Sequence, residues 1–212
     1  MSPRVARAVS GVEGDAGVAL RAHLLDVVEG LLAERSVTAI TTRELARAAG
    51  VSEGVLYNYF ADKNDLVLTA LVRRFAELVA RLEAAAPAAG EGTLVENVAT
   101  LSEALFALHV EAMPIIGKLL AEPSLLQRFM KDIHAQTQPF GGKQIRDAVL
   151  RYFAEERRLG RLAPEVDVDA ATDLLVGGVA LLAMPTMMGA PPRAAHKARV
   201  RHVAKTLVGG LT

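Results

Sequence analysis

The chain has no cysteine and no tryptophan, and its 212 residues include only three tyrosines and six phenylalanines. Without thiols there can be no disulfide, no thiolate metal ligand and no cysteine nucleophile, and such a composition suits a reducing compartment, so a cytoplasmic location is expected. Net charge is absent as well: 24 basic residues balance 24 acidic ones, which withholds the strongly basic signature of many nucleic-acid binders. The opening stretch MSPRVARAVSGVEGDAGVAL lacks an apolar segment ahead of a small-residue cleavage site. It reads as a flexible polar tail over residues 1–17, not a secretory signal. No G-x-S-x-G, H-E-x-x-H or phosphate loop occurs, PFGGKQ lacks Walker spacing, and the histidines are not paired with carboxylates at telling spacings. No catalytic residue, cofactor or metal site is therefore expected.

What is present is apolar and helical. Hydrophobic residues make up 51% and charged residues 23%, alanine and leucine abound, and β-branched runs are short. Leu20, Leu24, Val27, Val28, Leu31 and Leu32 mark one face of a helix over 18–34. Thr41 and Glu44 have capping-box spacing ahead of a short helix from Thr42 to about Ala49, and Gly50 can take the left-handed conformation that ends it. Ser52 is placed to cap a second short helix over 53–60, and Asp62 a long one from Lys63 with the stripe Leu71, Phe75, Leu78 and Leu82. APAAGEG at 86–92 is a break. Beyond it, further helices are expected along Leu94–Leu108, from a new start at Pro114, from Pro123 to about Gln136, from about 144 to Gly160, from near Asp169, and along a basic final segment. The span from Leu174 to Pro192 has no charge, but its Gly, Pro and Thr residues suit a packed helix better than a membrane span, so no membrane partner is expected.

Two short helices joined through AAGVSEG form a helix-turn-helix pattern. At about 100° per residue, Leu56 and Phe60 share the inward face, while Gly54 and Asn58 lie opposite with Val55 and Tyr57 on the flanks. That outward set suits DNA. Asn58 matches adenine, Val55 a thymine methyl, and Gly54 lets the backbone come close. The Tyr57 and Tyr59 hydroxyls suit phosphates, as do Lys63, Thr42 and Arg43 in first turns of helices. The same three helices would also make sense as a plain bundle with half-buried tyrosines.

The run TTRELARAAGVSEGVLYNYFADKNDL resembles the tetracycline-repressor (TetR) family of transcriptional regulators, through Thr42, Ala46, Ala49, Gly50, Val51, Ser52, Gly54, Leu56, Tyr57, Tyr59, Phe60, Lys63 and Leu66. The resemblance implies an all-α fold: a three-helix DNA-binding domain, here 18–66, followed by a helical ligand-binding and dimerisation domain, here 67–212. It implies DNA contacts by Thr42, Arg43, Ser52, Glu53, Gly54, Val55, Tyr57, Asn58, Tyr59 and Lys63. It also implies a homodimer that binds a palindromic double-stranded operator, as a repressor released by a small-molecule effector, and it implies no enzyme.

In that plan Phe106, His109, Met113, Phe129, Met130 and Met184 would line a largely apolar effector cavity, with Met187, Met188 and His134 as further candidates; ordinary core packing explains any one of them equally well. Helices around 144–158 and 169–188 would form the dimer's four-helix bundle. Two observations keep open a helical small-molecule-binding or scaffold protein without operator binding. Residues 18–65 hold five Arg or Lys against seven Asp or Glu, and Glu53 sits on the DNA-facing edge. Arg4 and Arg7 could reach a minor groove from the tail, and the basic residues Arg193, Lys197, Arg199, Arg201 and Lys205 read as a solvated face.

Overall fold

The computed structural model describes residues 14–135, 142–191 and 194–211, and among them the chain is helical throughout, without strands. The elements are α1 Asp15–Glu34, α2 Thr42–Ala48, α3 Glu53–Tyr59, α4 Lys63–Ala85, α5 Leu94–Leu120, α6 Pro123–Ala135, α7 Gly142–Arg158, α8 Val168–Ala183, a 3-10 turn Met184–Met188, and α9 Ala194–Val208. The all-α expectation holds. Residues 15–17, assigned to the tail, are the first turn of α1, where Asp15 faces unpaired amides. Arg4 and Arg7, and the side chains of His134, Met187 and Met188, lie outside what is described.

The chain divides into two compact units. The first holds residues up to Arg74 together with Lys118–Phe129, and the second Phe75–Gly117 together with Met130 onward. The division from sequence fell at 66/67; here the first turns of α4 and most of α6 belong with the helix-turn-helix.

In the first unit, Leu24, Leu25, Val28 and Leu32 of α1 are buried with Leu45, Ala46, Leu56, Phe60, Leu66, Val67, Leu71, Leu119 and Leu125. Arg73 of α4 ties back to α1: Nη2 donates to Asp26 at 2.5 Å and Nε to Glu29 at 2.9 Å.

The second unit buries Phe75, Leu78 and Leu82 of α4, the whole expected α5 stripe Leu94, Val98, Leu101, Leu105 and Leu108, Val149 and Phe153 of α7, and Leu175 and Val179 of α8. Here one expectation fails. Pro114 does not begin a helix; it lies inside α5, which runs unbroken to Leu120. Proline removes one amide donor and crowds the preceding turn. The helix nevertheless continues because Pro114 is exposed while Ala112, Ile115 and Leu119 on either side of it are buried. In α9 the buried seam is Val200, Ala204 and Val208, and Arg199, Arg201 and Lys205 are exposed. Two helical stretches, Leu94–Leu120 and Val168–Thr186, are long and apolar enough to cross a membrane by length and composition alone.

The break at 86–92 is held by a buried carboxylate. Glu156 is fully buried; it accepts from the Tyr152 hydroxyl at 2.6 Å and from the Gly90 amide at 3.4 Å, and pairs with Arg161 at 3.3 Å. Arg161 also donates to the carbonyls of Glu91 and Gly92. Burial, with Glu156 alongside, pushes the Tyr152 phenol above its ordinary pKa and keeps it a donor. Gly90 has φ of 87°, a left-handed conformation that favours glycine. Glu156→Ala takes away the carboxylate that Tyr152 and Arg161 share. It is expected to cost roughly 3–5 kcal/mol in urea unfolding. A cost under about 1 kcal/mol would show that the network does not hold this break.

Candidate nucleic-acid interface

The interface begins with how α2 is started and stopped. The Thr41 hydroxyl accepts the Glu44 amide at 3.2 Å, and the Glu44 carboxylate accepts the Thr41 amide at 2.9 Å, so the expected capping box is complete. Arg35 pairs with the same carboxylate at 3.1 Å. The backbone bond to Thr41, then Arg35, hold Glu44 down at a pKa of about 2. At the other end Gly50 has φ of 68°. Its amide donates to Arg47 and that of Val51 to Ala46, the paired bonds of a left-handed helix stop. His23 Nε2 lies 3.2 Å from the carbonyl of Ala49, which ties α1 to this turn.

Helix α3 follows with Ser52 at its N-cap position. Contrary to expectation, the Ser52 hydroxyl makes no capping bond; only its carbonyl is used, by the Val55 amide at 3.0 Å. The outward face is as the helical geometry required. Ser52, Glu53, Gly54, Tyr57 and Asn58 are exposed, Val55 and Tyr59 are half-buried, and Leu56 and Phe60 are buried at 3% each. Tyr57 is 48% exposed, a large value for an aromatic side chain in a chain with so few. A Cβ on Gly54 would meet nothing nearer than Ser52 Oγ at 3.8 Å. The protein's own packing does not require glycine there, so the bare backbone faces outward without an internal reason. Arg43 is exposed and Thr42 half-buried at the start of α2, and Thr42, Tyr57, Asp62 and Lys63 edge one shallow recess.

Lys63, expected at a phosphate, also makes two bonds within the chain. Its ammonium donates to the carbonyls of Val37 at 3.1 Å and Ile40 at 3.0 Å. Asp62 caps α4 as expected, accepting the Asp65 amide at 2.8 Å. It is also gripped by Arg128 of α6 through both carboxylate oxygens at 3.0 Å. Burial opposes ionisation of Asp62, but its hydrogen bonds and Arg128 outweigh that and hold its pKa below the ordinary value. No local pattern marks Arg128, since the partners are separated by 66 positions. Arg73 and Arg128, both outside 18–65, thus pair with Asp26, Glu29, Asp62 and Asp65, four of the seven acidic residues that made this region look unsuited to DNA.

The effector candidates have different surroundings. Phe129 belongs to the first unit, Met184 is 46% exposed, and the Met130 side chain is outside the description. Phe106 and Met113 are half-buried, the former against the His196 ring at 5.8 Å. His109 is buried with Nδ1 2.7 Å from the Leu105 carbonyl, and burial lowers its pKa. That ring nitrogen is spent within its own helix. A groove of about 190 Å³ lies between α4 and α5, lined by Leu78, Leu82, Ala85, Ala104, Ala107 and Leu108 with the Arg81–Glu111 pair at 2.8 Å. No group of three or more His, Cys, Asp or Glu able to hold a metal occurs among the described residues.

Comparison with known proteins agrees with this geometry. The family described as "Bacterial regulatory proteins, tetR family" matches residues 24–70, from the first buried leucines of α1 into α4. That match covers the helix-turn-helix with parts of the helices before and after it. Among curated TetR-family proteins, the transcriptional repressor KstR2 of Rhodococcus jostii is 36% identical over 117 residues, 51% of this chain and 52% of that protein. The chain thus spans about half the length of this curated relative. A TetR-like fold extends further. The ketosteroid transcriptional regulator KstR2 of Mycobacterium tuberculosis superposes with a TM-score of 0.55 over 97% of this chain and 99% of its own, at 22% identity. FadR from Bacillus subtilis, solved with stearoyl-CoA, superposes with a TM-score of 0.63 over 90% and 99% at 18% identity.

The capping box predicts an acid limb in stability. The folded pKa of Glu44, about 2, lies below its ordinary 4.5, so its stabilisation is complete above pH 4.5 and is lost as pH falls from there toward 2. Glu44→Gln should flatten stability against pH in that window. An unchanged curve would remove Glu44 as its source.

Proposed function

We propose that this chain is a ligand-responsive transcriptional regulator, acting as a repressor in the cytoplasm, that binds a palindromic DNA operator as a homodimer and releases it when a small, largely apolar effector binds. The observation that carries the reading is the outward face of α3: an amide, a phenol, an aliphatic and a bare glycine backbone, exposed on a helix whose other face is buried. Such a face suits the major groove, where Asn58 can pair with adenine and Val55 can touch a thymine methyl. The Tyr57 hydroxyl and Arg43, at the start of α2, suit the flanking phosphates.

One seven-residue helix reads too few base pairs, which is the reason for a dimer. Support for one comes from α8, where Leu174 and Leu181 are 66% and 65% exposed, with Gly177 and Met184 on the same stripe. An apolar row of this kind suits burial against its twofold copy. Ion pairs from Arg146 of α7 to Asp169 and Asp173 at 2.7 and 2.6 Å brace the helix that presents it. For the effector, the α4–α5 groove supports an apolar ligand. Its volume is below the 300–1,000 Å³ of most ligand sites, so the ligand would enter by parting the two helices. Coupling is then reciprocal: an effector that weakens operator binding is itself bound more weakly in the presence of operator.

Two tests follow. Binding to duplex DNA from the intergenic region beside its own gene should be measured across a salt series. Tyr57→Ala should weaken it by tenfold or more without lowering the thermal midpoint. Arg43→Ala should make the slope of log K against log salt shallower by about 0.9, the value of one phosphate contact. No salt-dependent binding by the unaltered protein would favour a helical ligand-binding or scaffold protein instead. Separately, Leu174→Glu should convert the dimer to folded monomer in sedimentation equilibrium; an undisturbed dimer would place the interface elsewhere.

A further inference from the structure

The two bonds made by Lys63 point to a use of that residue beyond phosphate contact. An ammonium has three N–H donors, and two of them here enter the carbonyls of Val37 and Ile40. Those residues are 3% and 0% exposed and delimit the turn that leads straight into Thr41, the cap of α2. The Arg35 guanidinium donates to the Ala39 carbonyl in the same turn and pairs with Glu44 of the capping box. Lys63 itself stands three residues after Phe60, the C-cap of α3. One side chain therefore spans from the end of the recognition helix to the turn before its companion helix.

We propose that Lys63 is a positioning residue of the DNA-facing surface: its ammonium staples the 37–40 turn to the start of α4 and so sets Thr42 and Arg43 relative to α3. The proposal rests on the DNA-binding reading and deepens it. Helices of seven residues have little orientation of their own, so the groups that hold their entry points decide where their first turns lie. Val37 and Ile40 are fixed by burial, which makes their carbonyls rigid acceptors. The neighbouring carboxylates do not draw Lys63 away, because Asp62 and Asp65 turn to Arg128. A lysine serving only as a phosphate ligand would keep its donors toward solvent; this one has committed two of three.

The test combines a salt series with a double-mutant cycle on a duplex that the unaltered protein binds, and amide hydrogen exchange on the protein without DNA. Lys63→Met should weaken binding tenfold or more, make the salt slope shallower by about as much as Arg43→Ala does, and speed exchange at residues 39–43 at least tenfold. In an Arg43→Ala background, where the group being positioned is gone, Lys63→Met should cost less than threefold. A purely structural loss would instead multiply with that of Arg43→Ala, and so would the loss of an independent phosphate contact. The proposal is overturned if the two losses multiply, or if the slope falls by about 0.9 while exchange is unchanged. Should Lys63→Met fail to fold, Lys63→Gln carries the same cycle. Should the unaltered protein bind no duplex, the DNA reading fails, whereas the exchange measurement still decides whether Lys63 holds the turn.

Discussion

A helix of seven residues closes too few backbone hydrogen bonds to persist alone, and α2 and α3 are both of that length. Their existence depends on burying Leu45, Ala46, Leu56 and Phe60 in the core of the first unit with α1 and α4. Everything at the candidate interface follows from this one constraint. Because burial claims one face of α3, the opposite face is released, and Gly54, Tyr57 and Asn58 come to lie outward. Because the helices cannot orient themselves, their ends are held by specific polar contacts: the Thr41–Glu44 box, the positive-φ stop at Gly50, His23 on the Ala49 carbonyl, and Lys63 on the 37–40 turn. The Arg21 guanidinium over the Phe60 ring, 5.2 Å from its centroid, adds a contact between α1 and the end of α3.

Charge is organised by the same fold. A count of acids and bases in residues 18–65 describes a surface that would repel DNA, yet the acids are not loose on that surface. Arg73 takes Asp26 and Glu29, Arg35 takes Glu44, and Arg128 takes Asp62 and Asp65. Paired acids contribute little field beyond a Debye length, so the exposed Arg43 and Arg47 and the local dipoles of helix starts gain weight in the approach of a polyanion. Glu53 remains on the edge of α3, where it would either accept from a cytosine amine or temper affinity.

The parts legible in the sequence were those governed by local rules. The capping box needs only residues three apart, the buried stripes of α1, α4 and α5 need only helical periodicity, and the inward pair Leu56 and Phe60 needs only a spacing of four. Pro114 was misread because a local rule met a tertiary one: burial on both sides of it carries α5 through an exposed proline. The bonds of Lys63 to the 37–40 turn were not foreseen because both acceptors are backbone carbonyls more than twenty residues away, which side-chain pattern does not display. Arg128 escaped notice for a like reason, since α6 joins the first unit from beyond α5. The effector residues were chosen by type, methionine and aromatic. The groove between α4 and α5 is made by small alanines opposite leucines, where what matters is the volume left empty. Empty volume has no sequence signature.

Whether the outward face of α3 reads bases is decided by selecting bound duplexes from a randomised pool, with the unaltered protein and with Asn58→Ala. The unaltered protein should enrich an inverted repeat, and Asn58→Ala should lose preference at one symmetric pair of positions while the rest of the repeat survives. Failure to enrich any symmetric sequence, or an identical preference from Asn58→Ala, would contradict base reading by that face.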